Sequence, residues 1–547
     1  MSELLVGPLL RHVSDTDATI WVEASEPGVV EVLGQEERTW TVLGHHYALV
    51  HVTGLPPASS TPYAVRLDGE QVWPPADDER PAPVIRTIDP EGTVRLVFGS
   101  CRHATSAALR DRRYGSDSLD AYARRLTGSP ATEWPQALLL VGDQVYADET
   151  SPAVQDRIRE RRSMQEPPGE QVKDYEEYTW LYHESWADPE VRWLLSTVPS
   201  SMIFDDHDVR DDWNTSAAWR RDMQATSWWE ERIIGGLASY WVYQHLGNLS
   251  PDDLAKDELY QQVRVHDGDA WPLLREFARA ADREADGAKG AQWSYRRDLC
   301  RTRLLVVDSR CGRMLEAGDR SMLSEREWNW IEEQVEGDYD HLLVGTSLPW
   351  LLPRALHDLE SWNERLAGGS RGPRVARWAE KLRRAADLEH WSAFRESFDR
   401  LAALLASVGR GERAGVGGRP PATVCVLSGD VHHAYVAQAH LGHSVQSPVY
   451  QLTCSPLHNY VPGPMKAAFR FTWSRALERA TRLLLGSVSG VPPLGFEWER
   501  REGPYFGDQI ATLTLAGRRA EVLLEQGVPG PDGRPTLGHR FSSMRLD

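Results

Sequence analysis

The sequence predicts an α/β protein of at least two domains, a small all-β unit followed by a larger unit of mixed sheets flanked by helices. Three observations predict it. The chain has 547 residues, too many for one small core. Its first 90 residues alternate in polarity between closely spaced turn residues, as short half-buried strands do. Beyond them, short apolar runs stop abruptly at polar clusters, as buried strands do in a helix-covered sheet.

In the first region, Ala18-Thr19-Ile20-Trp21-Val22-Glu23 alternates, and Tyr63-Ala64-Val65-Arg66-Leu67 runs into an Asp68-Gly69 turn. Gly54-Leu55-Pro56-Pro57 followed by Tyr63 resembles the late part of a fibronectin-III-like or immunoglobulin-like β-sandwich. Pro81-Ala82-Pro83 and Asp89-Pro90 read as a linker, so residues 1–90 form one domain and 91–547 the other. The second domain then delivers six strand ends. Val94–Phe98 runs into Gly99-Ser100-Cys101, Ala137–Val141 into Gly142-Asp143, and Met202–Phe204 into Asp205-Asp206-His207. Leu304–Val307 runs into Asp308-Ser309-Arg310, Leu342–Val344 into Gly345-Thr346-Ser347, and Val424–Leu427 into Ser428-Gly429-Asp430. Polar residues just past strand C-termini are where α/β sheets put their sites, so the six ends predict one convergent site. Residues 351–421 interrupt the series. Their pattern is helical over Leu351–Ala406 and arginine-rich, which predicts an inserted helical flank or lid. The tryptophans from Trp180 to Trp241 are expected to pack aromatic helices over the sheet.

Bulk properties narrow the function. The net charge is −19, from 61 basic and 80 acidic side chains. Such a surface repels nucleic acids and anionic membranes at long range, so a small substrate is expected rather than DNA or RNA. No run reaches the roughly 18 apolar residues of a membrane span. Five scattered cysteines are too few for a disulfide framework, and the first residues lack a signal peptide or twin-arginine pattern. These features predict a cytoplasmic protein. They do not speak to its oligomeric state.

The strongest chemical signal is Phe204-Asp205-Asp206-His207-Asp208-Val209-Arg210-Asp211-Asp212-Trp213-Asn214, with five aspartates in eight positions directly after a strand. Carboxylates crowded near a core repel one another unless a hard cation neutralises them. In Val141-Gly142-Asp143-Gln144-Val145-Tyr146, Asp143 sits at a sheet edge where it can bridge two metals. The phenol of Tyr146 suits a trivalent ion such as Fe(III). In Ser428-Gly429-Asp430-Val431-His432, Asp430 and His432 lie two apart on extended chain and point the same way, a common transition-metal pair. Cys101, past its strand, offers a thiolate, and Arg310 a fork for phosphate or carboxylate. The bland readings are a solvated acidic turn, a core tyrosine, a small buried thiol and a structural ion pair.

Taken in order, Gly99-Ser100-Cys101, Gly142–Tyr146, Asp205–Asp208, Asp308–Arg310 and Gly429–His432 resemble the PhoD-like alkaline phosphatase branch of the calcineurin-like metallophosphoesterases. The resemblance implies a metallophosphoesterase sandwich of two mixed sheets flanked by helices. It implies that Cys101, Asp143, Tyr146 and His432 hold one metal, Fe(III), with Asp143 bridging. Asp206 and Asp430 would hold Ca(II), helped by Asp212 or Asn214; Zn, Mn and Mg are the other divalent candidates. It places His207 beside the reacting phosphate. Arg310 or Arg102 would contact its oxygens. The expected reaction is hydrolysis of phosphate mono- or diesters by a metal-bound hydroxide. With few cationic clamps and two segments that can wall a cleft, diesters are expected to be cleaved at least as well as monoesters. Two rivals remain. One is a non-catalytic metal-dependent binding protein. The other is a serine hydrolase built on Gly368-Gly369-Ser370-Arg371-Gly372, which needs a strand before it and a helix after it.

Overall fold

The structure, a computed structural model, describes every residue except 1, 106–107, 112, 288–289, 317, 489–490 and 492. The N-terminal region is all β. One four-stranded sheet runs in the order Leu4–Val13, Ala18–Ala24, His45–Val52, Trp40–Val42. A second runs Gln35–Arg38, Val29–Val32, Val65–Leu67, Glu70–Trp73. Ile20, Val22, Val30, Val50 and Val65 fill the small core between them. The short pair Ser60–Pro62 with Val84–Arg86 completes the unit, and residues 87–93 lead to the next strand.

This unit is welded to the rest. Trp21, Tyr47 and Leu49 point away from its own core into the main one. The alternation seen in Ala18–Ala24 therefore separates two buried faces, which is why the whole strand is buried. Arg11, fully buried, donates to the Gln244 carbonyl at 2.6 Å and to Asn248 Oδ1 at 3.1 Å.

The larger unit contains two mixed sheets. In the six-stranded sheet, Ser200–Ile203, Ala137–Val141 and Val94–Gly99 are parallel neighbours. Gln509–Ala516, Arg519–Pro529 and Pro535–Arg545 extend it antiparallel. In the seven-stranded sheet, Thr302–Val307, His341–Thr346, Thr423–Ser428 and Val449–Thr453 are parallel, with Tyr295–Leu299 at one edge. Ala434–His440 and Glu497–Tyr505 close the other edge antiparallel. The parallel strands bury both faces. Leu304, Val306, Leu343 and Leu427 join Leu139 of the opposite sheet, while Leu305, Leu342, Val344 and Val426 face the helices. At Gly345 a side chain would meet Leu139 at 3.3 Å, so the two sheets touch there.

The helical insertion consists of Arg354–Ala367, Pro373–Ala385 and Arg395–Gly409. Phe398, Leu401 and Leu405 bury the last helix on the outer face of the seven-stranded sheet. The tryptophan-rich segment is core, as expected: Trp180, Trp186, Trp193, Trp213, Trp219, Trp228, Trp229 and Trp241 are all buried. None of these rings is left open to wall a cleft, so that part of the substrate argument falls to the insertion. Among the described residues, no helix is long and apolar enough to cross a membrane.

Candidate active site

The three parallel strands of the six-stranded sheet end at one edge, so residues 99–101, 142–143 and 204–206 are neighbours there. Strand Thr423–Ser428 brings residues 428–430 to them from the other sheet. The approach is close enough to demand glycine at two places. A side chain at Gly142, whose φ is +117°, would meet Asp205 Cβ at 2.7 Å. One at Gly429 would lie 1.9 Å from Ser100 Oγ. Ser100 Oγ accepts the Asp430 N–H at 3.2 Å, and the Cys101 N–H donates to the Gly142 carbonyl at 3.2 Å.

The backbone is strained where the candidate ligands sit. Twelve described residues other than glycine have positive φ, and six are Cys101, Asp143, Asp212, Asn214, Asp430 and His432. Their φ values run from 46° at Asp143 to 64° at Asp212 and Asp430. Each such conformation costs on the order of 1–3 kcal/mol and survives where surrounding structure enforces it, typically at functional sites.

At the centre, the ligating atoms of Asp143, Asp205 and Asp206 lie within 4.8 Å of one another, all three residues buried. Burial pushes the Asp143 carboxyl well above the usual range; His207 opposes this, and Asp205, Asp206 and Asp208 add to it. Asp205 and Asp206 are pushed up too, by burial first, although Arg310 pulls both back. Asp143 Oδ1, Asp205 Oδ2, Asp212 Oδ1 and Asn214 Oδ1 are buried with no hydrogen-bond partner. Asp208 differs: it caps the turn, accepting from the Asp205 N–H at 2.9 Å and from Gln244 at 3.2 Å.

Arg310 is fully buried and enclosed by acids. Its Nε bonds Asp205, its Nη1 bonds Glu389 at 2.5 Å, and its Nη2 lies 3.3 Å from Asp206 and 3.5 Å from Asp430. It orders carboxylates here rather than offering a free fork to phosphate. Arg102 is turned away altogether. It pairs with Asp117 at 2.7 Å and donates to the Ser185 carbonyl at 2.7 Å. Both arginines depart from the clamp expected of them, because acidic partners from other segments already claim their guanidinium groups.

His207 has a defined orientation. Its Nδ1 lies 2.9 Å from Asp148 Oδ1, and its side chain remains 19% exposed. Burial works against charging the ring, but Asp148, with Asp206 and Asp143, holds its pKa well above the usual imidazole value. The Tyr146 ring lies 5.0 Å from the His207 ring, tilted by 38°, and its phenol oxygen accepts from Asn459 Nδ2 at 2.9 Å. Cys101 is buried beside Asp143 and Asp430. Burial first, then those two charges, pushes its thiol up. Asp430 Oδ2 lies 3.1 Å from His390 Nε2, and the other ring nitrogen of His390 lies 2.8 Å from Glu360. Burial opposes the Asp430 charge, yet His390 and Arg310 hold its carboxyl below the usual range. Burial lowers His432 to about 4, leaving a neutral imidazole suited to ligation. Asp212 donates its N–H to Asp206 Oδ2 at 3.1 Å, and Asn214 Nδ2 donates to the Arg310 carbonyl at 3.2 Å.

Asp205, Asp148, Glu389, His390 and Asn459 complete the arrangement without having been singled out in the sequence. Asp148 stood in view, two residues past Tyr146, and Asp205 inside the acidic run. Glu389 and His390 carried no strand-end signal.

Cation-seeking oxygens outnumber the local cations His207, His390 and Arg310, and several are orphaned, which is the condition a bound metal relieves. The thiol of Cys101 and imidazole of His432 add donors that a transition metal accepts. The residues therefore fit a metal centre.

A strand-edge carboxylate cradle with a histidine beside it, set between two mixed sheets, is a candidate metal site. Residues 120–338 match the family described as PhoD-like phosphatase. That stretch contains Asp143, Tyr146, Asp206, His207, Asp212, Asn214 and Arg310; Cys101, Asp430 and His432 join it through the fold. Residues 1–85 match a Domain of unknown function (DUF7800). Among solved structures, one of PhoD aligns over 99% of this chain and 90% of its own, with TM-score 0.59 and 12% identity, a likeness of fold. A purple acid phosphatase, PPD1 from yellow lupin (Lupinus luteus) seeds, aligns over 98% and 73% with TM-score 0.48 and 10% identity. No curated protein matches the sequence.

Proposed function

We propose that this protein is a metal-dependent phosphoesterase acting on small phosphate mono- and diesters. The observation that carries the reading is the buried cluster of Asp143, Asp205 and Asp206 beside the His207–Asp148 pair. Asp143, Asp206 and Asp430, with Asp212 or Asn214, supply hard oxygen ligands. Cys101, Tyr146 and His432 supply a thiolate, a phenolate and an imidazole as a second set, which Asp143 would join as the bridging carboxylate. This division supports Fe(III) on the second set and Ca(II) on the first, with Zn, Mn or Mg as the other candidates. Bound metals supply Lewis acidity and acidify a coordinated water.

The chain's own residues do the rest. Arg310 holds Asp205, Asp206 and Asp430 in place against their mutual repulsion. Asp148 fixes the His207 ring through Nδ1, so Nε2, with Asp211 Oδ1 3.9 Å away, is the nitrogen that would hold a proton for the leaving alkoxide. Tyr146 packs on that ring and limits its rotation. We place the protein in a reducing compartment such as the cytoplasm, a reading supported by its five unpaired cysteines.

Diesters remain the favoured substrates. The insertion and the segment from Ser216 line an open cleft of about 830 Å³, a surface on which a second ester group could be accommodated. The test compares kcat/KM for p-nitrophenyl phosphate and bis-p-nitrophenyl phosphate on metal-replete protein. A monoester preference of roughly 100-fold, about 3 kcal/mol of differential transition-state binding, would overturn the diester reading. Iron bound by Tyr146 should give a visible charge-transfer band that fades in Tyr146→Phe; colourless protein fully loaded with zinc would remove iron but leave the phosphoesterase.

The serine-hydrolase alternative finds little support. Gly368–Gly372 is the exposed turn between helices Arg354–Ala367 and Pro373–Ala385, with no strand leading into Ser370.

A further inference from the structure

The joint between the N-terminal domain and the helical layer holds a second set of ligating side chains. Glu23 lies on strand Ala18–Ala24 and His45 opens strand His45–Val52, its hydrogen-bonded neighbour. His183 lies in the last turn of helix Tyr175–Ser185, in the larger unit. Glu23 Oε1 is 2.9 Å from His45 Nδ1 and 3.0 Å from His183 Nε2. The ligating atoms of all three lie within 4.8 Å of one another.

We propose that Glu23, His45 and His183 form a second metal site, of the zinc type, that ties the N-terminal domain to the phosphoesterase domain. The donor set is one carboxylate and two imidazoles, which suits a borderline divalent ion such as Zn²⁺ and suits Ca²⁺ or Mg²⁺ poorly. His45 has the outer contact that a ligating histidine requires. The second ring nitrogen of His45 lies 2.9 Å from Glu176 Oε2, so a carboxylate fixes its tautomer and turns Nδ1 towards the cluster. Glu23 is fully buried, and its Oε2 accepts the Tyr243 hydroxyl at 2.8 Å. Tyr243 is itself held by Tyr47 at 3.1 Å, and Tyr47 by Tyr175 at 2.9 Å. The carboxylate cannot rotate away. Entry is open from one side, because His183 is 24% exposed and His45 13%. Water from that side would supply a fourth ligand. Small outward shifts of the two rings would bring all three donors to the roughly 2.0–2.2 Å that zinc needs.

This site shares no residue with the cradle, so its fate and that of the phosphoesterase reading can be separated. The experiment strips wild type, His183→Ala, Glu23→Gln and Asp143→Ala of metal. Each is then titrated with Zn²⁺ and with Co²⁺, and bound metal is counted after removal of excess. His183→Ala and Glu23→Gln should each bind one equivalent fewer than wild type, and His183→Ala should keep full ester hydrolysis. Asp143→Ala, impaired in the cradle, should keep the equivalent at the joint and its tetrahedral Co²⁺ absorption. Equal zinc stoichiometry in wild type and His183→Ala would overturn the proposal and leave the three residues as an imidazole–carboxylate network. So would an Asp143→Ala protein that binds no zinc at all, a readout that does not depend on how the joint variants fold.

Discussion

The cradle is assembled by two regions that work differently. The strand ends at residues 99–101, 142–146, 204–214 and 428–432 place their side chains through the backbone. Six of their residues sit in the left-handed region, and two glycines allow the chains to touch. The helical insertion places its side chains through ion pairs. The loop between Pro373–Ala385 and Arg395–Gly409 sends Glu389 to Arg310 and Arg313, and His390 to Asp430 and Glu360. Groups set by backbone geometry can be held at a fixed distance from a metal. Groups set by pairing can only steady those that are. The strand ends should therefore carry the chemistry, and the insertion should tune it.

That contrast is broken most easily at its strongest point. Asp143→Ala should lose the metal of the cradle and fall to background turnover, measured by elemental analysis alongside ester hydrolysis; an Asp143→Ala protein that is active and holds as much metal as wild type would mean that the strand ends do not hold the centre. Next, His207→Ala should keep its metals but lose roughly 10²–10⁴-fold in kcat, the range for a residue that delivers a proton. Wild-type turnover in that variant would remove His207 from the chemistry. On the insertion side, His390→Ala should cost about 10–100-fold in metal affinity or activity, as for outer-sphere partners of ligands. A loss as large as that of Asp143→Ala would erase the distinction between the two regions. At the small end, Ser370→Ala should leave turnover unchanged, and a fluorophosphonate should not label Ser370.

The same contrast explains what was legible in the sequence. A strand end announces itself within a few residues, because the apolar run, the glycine and the ligand are contiguous. Gly142-Asp143 and Gly429-Asp430 could be read that way, and the strands before them stand where the runs placed them. Side-chain partners are not contiguous. Arg310 read as a phosphate clamp because Asp205, Asp206, Glu389 and Asp430, which claim it, come from three other segments. The partner of Arg102 was hidden for the same reason, since Asp117 caps a helix that carries no motif. Glu389 and His390 lie between helices, in a stretch whose pattern reports only which face is apolar. Asp205 was hidden differently. In Asp205-Asp206 the motif drew the second residue to the metal, and only the approach of Gly142 to Asp205 shows the first one there too.

The most direct test of the central claim is reversible metal removal. Protein stripped with chelator should lose hydrolysis of both p-nitrophenyl phosphate and bis-p-nitrophenyl phosphate, and should recover it in proportion to metal restored to the cradle. Wild type should recover and Asp143→Ala should not. A metal-free protein that hydrolyses these esters at the untreated rate, or a fully reloaded one that hydrolyses no phosphate ester, would contradict the account.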